Sequence, residues 1–380
     1  MPKGKLMEAE ARAAAWLRAW DVQDVHRTGS EGDAAGAEWL AGEAKALGAE
    51  VAIEEFALDR LDPIAAYLEL GGERIAGVPV FDAPATGADG IEGRLGGEIA
   101  VAELSPRAVY SGEFEMLRRA EGYRALVVVC AGEAPGLGLI NAERFTAPYG
   151  QPALHVSSEV RERVLAVARD GTTARLVAHS RRSRAQAVNI GAVLKGRDSA
   201  KSPLVVMTPR SSWWQSTAER GGGLVCWLET LRALIGMPLE RDVVFTANSG
   251  HELDHLGLDD FVARRPGWDQ PGGADWVHFG ANLGAAGSRL SLVSNTDELR
   301  TLGLAELTRA GQPPDDMPPK THVPSGETRD IHRAGGRYLT LVGTNPLFHL
   351  PQDRWPHAVD VPAIARIASA SAQMVLALSN

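Results

Sequence analysis

The stretch FTANSGHELDHLGL, residues 245–258, decides how this chain is read. Within it, 251–255 spell HELDH, a literal match to H-E-x-x-H, the pattern that sets two histidines one helical turn apart on a zinc ion with a general-base Glu beside them. The surroundings argue against a zinc helix. The motif follows at once on the apolar, β-branched run DVVFTAN (242–248) and on Ser249-Gly250. His251 and Glu252 are therefore predicted at a strand-to-helix junction, where side chains project into the crevice at the end of a sheet. His255 would lie one turn into a helix that begins near Glu252. The extended form of the zinc motif needs Gly where this chain has Leu258, and the next downstream Glu is Glu298.

Working outward, the same alternation of apolar strand and helical periodicity recurs. Strand-like PLVVM (203–207), WVHFGANL (276–283), LSLVSN (290–295) and RYLTLVG (337–343) are interleaved with helical GGGLVCWLETLRALIG (221–236), TDELRTLGLAELTRAG (296–311) and PAIARIASASAQMVLALS (362–379). This predicts an α/β sheet with helices on both faces, and directs the search for chemistry to the residues that follow its strands. Toward the N-terminus, apolar positions at helical spacing from Met7 to Trp20 and from Ala34 to Leu47 predict two helices joined by turn-rich RTGSEGD (27–33), ahead of the strand AEVAIEEFAL (49–58). From about Pro63 the texture changes to short strands such as EIAVAEL (98–104) and RALVVVCA (124–131), punctuated by Gly and Pro. We therefore predict a mostly β insert over 63–183 within an α/β domain formed by 1–62 and 184–380.

Composition narrows the function classes. Lys and Arg number 39 against 48 Asp and Glu, and the net charge of −9 supplies no basic field for nucleic acid. Cys130 and Cys226 both sit inside apolar runs, as buried small hydrophobes do, which fits a reducing compartment. The first 20 residues have scattered charges rather than an apolar core with a cleavage site, and no run of about 18 apolar residues is evident. A cytoplasmic protein without a membrane partner is expected.

The segments RTGSEGDAAGAEWLAGEAKALGAEV (27–51), AVNIGAVLKG (187–196), PLVVMTPRSS (203–212), STAERGGGLVCWLE (216–229), FTANSGHELDHLGL, GANLG (280–284) and NPLFHLPQDRWPH (345–357) follow one another in an order that resembles the M28 family of zinc aminopeptidases. The likeness runs over nearly the whole chain. It implies a zinc-peptidase/phosphorylase-like fold, a mixed, mostly parallel sheet flanked by helices, with an insert similar to a protease-associated (PA) domain. In that family two zinc ions share a bridging Asp. Here the resemblance places Glu219 at the bridging Asp, with Glu252 and His349 completing the second zinc's set. The first zinc's set is lost: its His falls on Thr208, the Asp of H-x-D on Arg210, and the later Asp on Ala281 or Asn282. His251 stands where the family has its general-base Glu.

Two carboxylates facing one crevice need a cation nearby, because like charges and desolvation both oppose ionisation. Two cations are open. One is a single zinc held by Glu219, Glu252 and His349 with a position left for water; His251 would take that water's proton and Arg210 would stabilise the oxyanion of a tetrahedral intermediate. The other is the guanidinium of Arg210 itself, paired with Glu219. Trp213, Trp214 and Trp355 are candidate pocket walls, although aromatic residues are as readily core packing. Arg329 and His332 are candidates for a substrate carboxylate; Asp353 and Glu327 are expected to orient the residues around them. The leading expectation is a hydrolase of amide or peptide-like bonds acting on a small molecule or short peptide. The alternatives are a metal-free binding protein and a zinc-dependent acyl transfer of the kind used by glutaminyl cyclases, which share the fold. The insert's role, whether covering the crevice, excluding large proteins or forming a homo-oligomer, stays open.

Overall fold

The computed structural model describes residues 3–380. Helices α1 (Lys3–Asp21) and α2 (Glu31–Ala46) precede the long strand β1 (Val51–Leu70). Then follow β2 (Glu73–Pro79), β3 (Ile91–Arg94), β4 (Ile99–Leu104), α3 (Glu113–Arg119), β5 (Ala125–Cys130), β6 (Ala153–Val156) and α4 (Arg161–Asp170). A second long strand, β7 (Thr173–Leu194), leads back to β8 (Leu204–Pro209), α5 (Thr217–Leu234), β9 (Val243–Asn248), α6 (Leu256–Ala263), β10 (Asp275–Phe279), β11 (Leu290–Ser294), α7 (Asp297–Arg309), α8 (Thr328–Ala334), β12 (Arg337–Gly343) and α9 (Val361–Leu378).

The strands hydrogen-bond in the order β11-β12-β10-β8-β9-β7-β1-β2-β6-β5-β4, with β3 alongside β7. Strands β12, β10, β8 and β9 are mutually parallel; β11, β7 and β1 run antiparallel to their neighbours. This is the mixed, mostly parallel sheet flanked by helices that the sequence predicted. Alternation explains why it is buried on both faces. In β8, Leu204 and Val206 join the core under α1, α2, α5 and α9, while Val205 and Met207 join the opposite core with Phe261 and Trp276. In β12, Leu339 and Leu341 face the first core and Tyr338 the second.

The triple glycine of α5 is a packing requirement. A Cβ on Gly222 would lie 1.9 Å from the Leu283 carbonyl oxygen, and one on Gly221 or Gly223 would meet Leu17 or the Thr208 hydroxyl. Without side chains there, the helix start sits directly against the sheet's end. The link RTGSEGD becomes a reciprocal cap: Ser30 Oγ accepts from Asp33 N–H, and the Asp33 carboxylate accepts from Gly29 N–H.

Three features differ from or add to the expectations. The HELDH segment forms a turn, and α6 begins only at Leu256, because Asp254 and His255 adopt left-handed φ of 62° and 58°. The insert boundaries at 62/63 and 183/184 fall inside the paired strands β1 and β7, which run on past them with a register shift between Pro63 and Ala65. Finally, α9 is apolar enough by length and composition to cross a bilayer, although no such span was expected; here it packs against α1, α5 and α7 as a core helix.

Candidate functional site

The crevice beyond the carboxyl ends of β8, β9, β10 and β12 holds a buried polar cluster. Glu219 and Arg220 come from the first turn of α5, His251 and Glu252 from the turn after β9, His278 from β10, Glu327 from the residue before α8, and His349 from the loop after β12. All seven are at least 95% buried. The backbone here is held in costly shapes. The five non-glycine residues with positive φ among those described are Ser216, Asp254, His255, Asn282 and His349, each in a segment that forms or flanks the cluster. Strain of roughly 1–3 kcal/mol per such residue persists where surrounding structure enforces it, commonly at functional sites.

Arg220 sits at the centre. Its Nη2 lies 2.8 Å from Glu219 Oε1, and both side chains are fully buried. Its Nε donates to the Ser211 carbonyl at 2.7 Å, which fixes the guanidinium plane. Burial alone would raise the Glu219 pKa, but Arg220 and His349 outweigh it and hold the carboxyl at about 2. His349 donates from Nδ1 to the Leu139 carbonyl at 2.6 Å, and its Nε2 faces Glu219 Oε1 at 3.2 Å. Arg210, expected on Glu219, points elsewhere: it pairs with Asp33 Oδ1 at 2.8 Å and donates to the Asp33 and Val188 carbonyls. The guanidinium beside Glu219 thus belongs to Arg220, which the sequence reading passed over although it directly follows Glu219.

Glu252 is committed as well. Its Oε1 accepts from Thr28 N–H and Thr28 Oγ, each at 2.7 Å, and its Oε2 accepts from Ser211 Oγ at 2.6 Å. Burial still raises its pKa, against those three bonds. On the far side of Arg220, His251 Nδ1 and His278 Nε2 each stand 3.9 Å from a different oxygen of Glu327. Burial keeps His251 neutral well below the ordinary imidazole range, with Arg220 and the neighbouring histidines reinforcing it, and it takes His278 to about 3. The same burial pushes Glu327 up to about 7, although His255 and Arg220 oppose it.

The predicted zinc set does not fit a zinc ion. Glu219 is neutralised by a guanidinium, Glu252 has its oxygens occupied by three donors, and His349 Nε2 is directed at Glu219 Oε1. Among the described residues no group of three or more His, Cys, Asp or Glu is placed to hold a metal ion.

The remaining predicted residues divide. Asp353 caps α5, accepting from Ala218 and Glu219 N–H at 2.7 and 2.9 Å, with its pKa raised to about 7 by burial. Trp214, half-buried, donates from Nε1 to the His349 carbonyl; Trp213 is corrected from pocket wall to core, 3% exposed and edge-on to Phe81, with its Nε1 donating to Asn141 Oδ1. Arg329 binds Glu143 at 2.6 Å. His332 and Trp355 are corrected: His332 stands against Tyr338, and Trp355 packs on the main core under Arg18, because the chain directions of α8 and of the closing loop turn them there. Besides Arg220, the sequence reading missed His278, Asp33 and Thr28; WVHFG ends a strand where ligands gather, so His278 had a positional signal.

No family model and no curated protein matches the chain. Solved structures do. It is similar to a peptidase M28 precursor from Shewanella amazonensis (TM-score 0.78, 14% identity, 99% of this chain and 96% of that one). It is also similar to a zinc aminopeptidase from Bacillus subtilis (0.75, 16%, 96% and 94%) and to an aminopeptidase from Aneurinibacillus sp. strain AM-1 (0.69, 14%, 97% and 92%). At such identities the likeness is one of fold, and the chain has the fold of the M28-type zinc aminopeptidases.

Proposed function

We propose that this chain is a metal-independent binding protein on a peptidase fold, in which Arg220 supplies the positive charge that a zinc ion would bring to the crevice. The observation that carries this reading is the fully buried contact of Arg220 Nη2 with Glu219 Oε1 at 2.8 Å. A buried carboxylate needs one strong partner, and a divalent ion added beside a fixed guanidinium would meet like charge in a medium that screens poorly. The residues that remain are suited to recognition. Trp214, half-buried, and Arg329, paired with Glu143, flank the cluster, and Glu327, His251 and His278 form a polar floor. The partner on this reading is a small molecule or short peptide.

Peptide hydrolysis is the second reading. It is favoured by the peptidase names of the fold neighbours and by Glu219, His349 Nε2, His251 Nδ1 and Glu327, which make charge contacts but no well-aligned hydrogen bond within the chain. One experiment separates the two: zinc content by mass spectrometry after dialysis against excess zinc, with aminoacyl anilide hydrolysis measured on the same sample. The binding reading expects far less than one zinc per chain and no turnover. One retained zinc with turnover that disappears in Glu219→Gln overturns it.

A further inference from the structure

Between β5 and β6 the chain passes through Leu139, Ile140, Asn141 and Ala142 without regular secondary structure, yet these residues are only 2, 2, 4 and 1% exposed. Loops ordinarily stay at the surface, because their backbone polar groups need partners. Here the crevice supplies them. The Leu139 carbonyl accepts from His349 Nδ1 at 2.6 Å, the Ala142 N–H donates to the Glu252 carbonyl at 2.9 Å, and Asn141 Oδ1 accepts from Trp213 Nε1 at 2.9 Å. Glu143 takes the Arg329 guanidinium at 2.6 Å. One short segment thus meets an imidazole, an indole, a backbone carbonyl and a guanidinium in turn, while Ile140 alone turns back, its N–H to His155 of β6 and its side chain into the insert's own core.

We infer that the crevice is a recognition groove for an extended peptide and that Leu139–Glu143, of sequence LINAE, is its built-in occupant. The external partner is accordingly a peptide of the same order: an apolar residue at the place of Leu139, then, after one residue, an amide, a small residue and a carboxylate. The inference rests on the binding-protein reading and names the partner class of that site. Release of the segment is local. Beyond its far end lies a cavity of about 220 Å³ bordered by Phe145, Thr146, Pro148, Leu58 and Leu256, so the anchor at Phe145 has open space on one side. At its near end Gly138 is held close, where a Cβ would come within 2.7 Å of Cys130 Sγ.

The test replaces 139–143 by Gly-Ser-Gly-Ser-Gly in the full chain and titrates it with a fluorescein-labelled peptide of sequence GLGLINAERF, followed by anisotropy. Saturable binding is expected, with affinity at least about tenfold above that of the unaltered chain, whose groove is filled. Peptides with Ala at the position of Asn141 or of Glu143 should each bind about tenfold more weakly, since each substitution removes one partner of a hydrogen bond or ion pair. A folded replacement variant that takes up no peptide overturns the inference and leaves the binding-protein reading standing. Should the replacement not fold, the double variant Asn141→Ala/Glu143→Ala, which keeps the apolar residues, is measured in the same way; failure to gain binding overturns the inference equally. If the freed chain instead retains zinc and cleaves the peptide, groove occupancy is upheld and the metal-independent reading falls.

Discussion

Arg220→Met is the sharpest probe of the site. It keeps an unbranched side chain of similar reach but removes the charge beside Glu219 and the donor to the Ser211 carbonyl. Breaking one side of a buried ion pair costs about 3–5 kcal/mol, because the other charge stays buried without compensation. The titration of Glu219, to which Arg220 contributes most among the groups that lower it and His349 and Ser216 add, gives a figure of the same order. Its pKa lies at about 2 in the folded chain against an ordinary 4.5, and at about 1.4 kcal/mol per tenfold this is worth about 3 kcal/mol of stability at neutral pH. The sign follows from the depressed value: the contribution is present above pH 4.5 and is lost as pH falls toward 2. With about 2.1 cal/mol/K per residue, a 380-residue chain has a melting entropy of about 0.8 kcal/mol/K, so the loss corresponds to about 4–6 °C in Tm. Urea and thermal melts at pH 7.5 measure it. The double variant Arg220→Met/Glu219→Gln should recover most of the loss, since the stranded charge is gone. A single variant that loses less than about 1 kcal/mol, or a double variant as unstable as the single, refutes the assignment of Arg220 as the internal cation.

Arg210→Ala removes the buried cation beside Asp33 in the first turn of α2, leaving that carboxylate to Gly29 N–H and Ser249 Oγ, and should cost about 3 kcal/mol in urea melts. Gly222→Ala, whose Cβ would meet a backbone oxygen at 1.9 Å, should fold poorly or lose more than about 3 kcal/mol, whereas Gly42→Ala in an open helical position of α2 should gain about 0.5–1 kcal/mol; expression and Tm compare the two. Trp213→Phe keeps the ring but leaves Asn141 Oδ1 without its donor, an expected loss of about 1–2 kcal/mol by thermal shift. His26 and His155 are held at about 3 by burial, so each binds a proton in the unfolded chain before the folded one. Stability should therefore fall as pH drops from 6.5 toward 3, by up to about 1.4 kcal/mol per pH unit per histidine, and melts across that range of the single variants His26→Gln and His155→Gln should show a shallower slope.

The sheet was legible in the sequence because its strands alternate between two cores, so that PLVVM, DVVFTAN and RYLTLVG read as apolar runs of strand length bounded by turns. The lengths of β1 and β7 were not. Their middle residues, including Arg181, Arg182 and Arg184, are charged and largely exposed, and it is pairing with each other rather than burial that keeps them extended. The crevice was legible as a place and in its departure from the two-zinc pattern. Which arginine faces Glu219 was not, since that depends on the direction of a side chain in the first turn of α5. Nor was the occupancy of Glu252, which required knowing that Thr28, far away in sequence, returns to lie against it. The turn at HELDH escaped because left-handed Asp254 and His255 are imposed by packing, which local propensity does not register.

Strands β1 and β7, of 20 and 22 residues, pair along nearly their whole lengths and carry the insert on a rail about 65–70 Å long. No flexible tether separates the two halves, so the insert cannot swing away as a door would. Mechanical load or thermal loosening on one half is transmitted to the other through the shared ribbon, and a protease that nicks the surface should release no freestanding module. Entry to the crevice must then come from slack within single connections, while the rail itself stays paired.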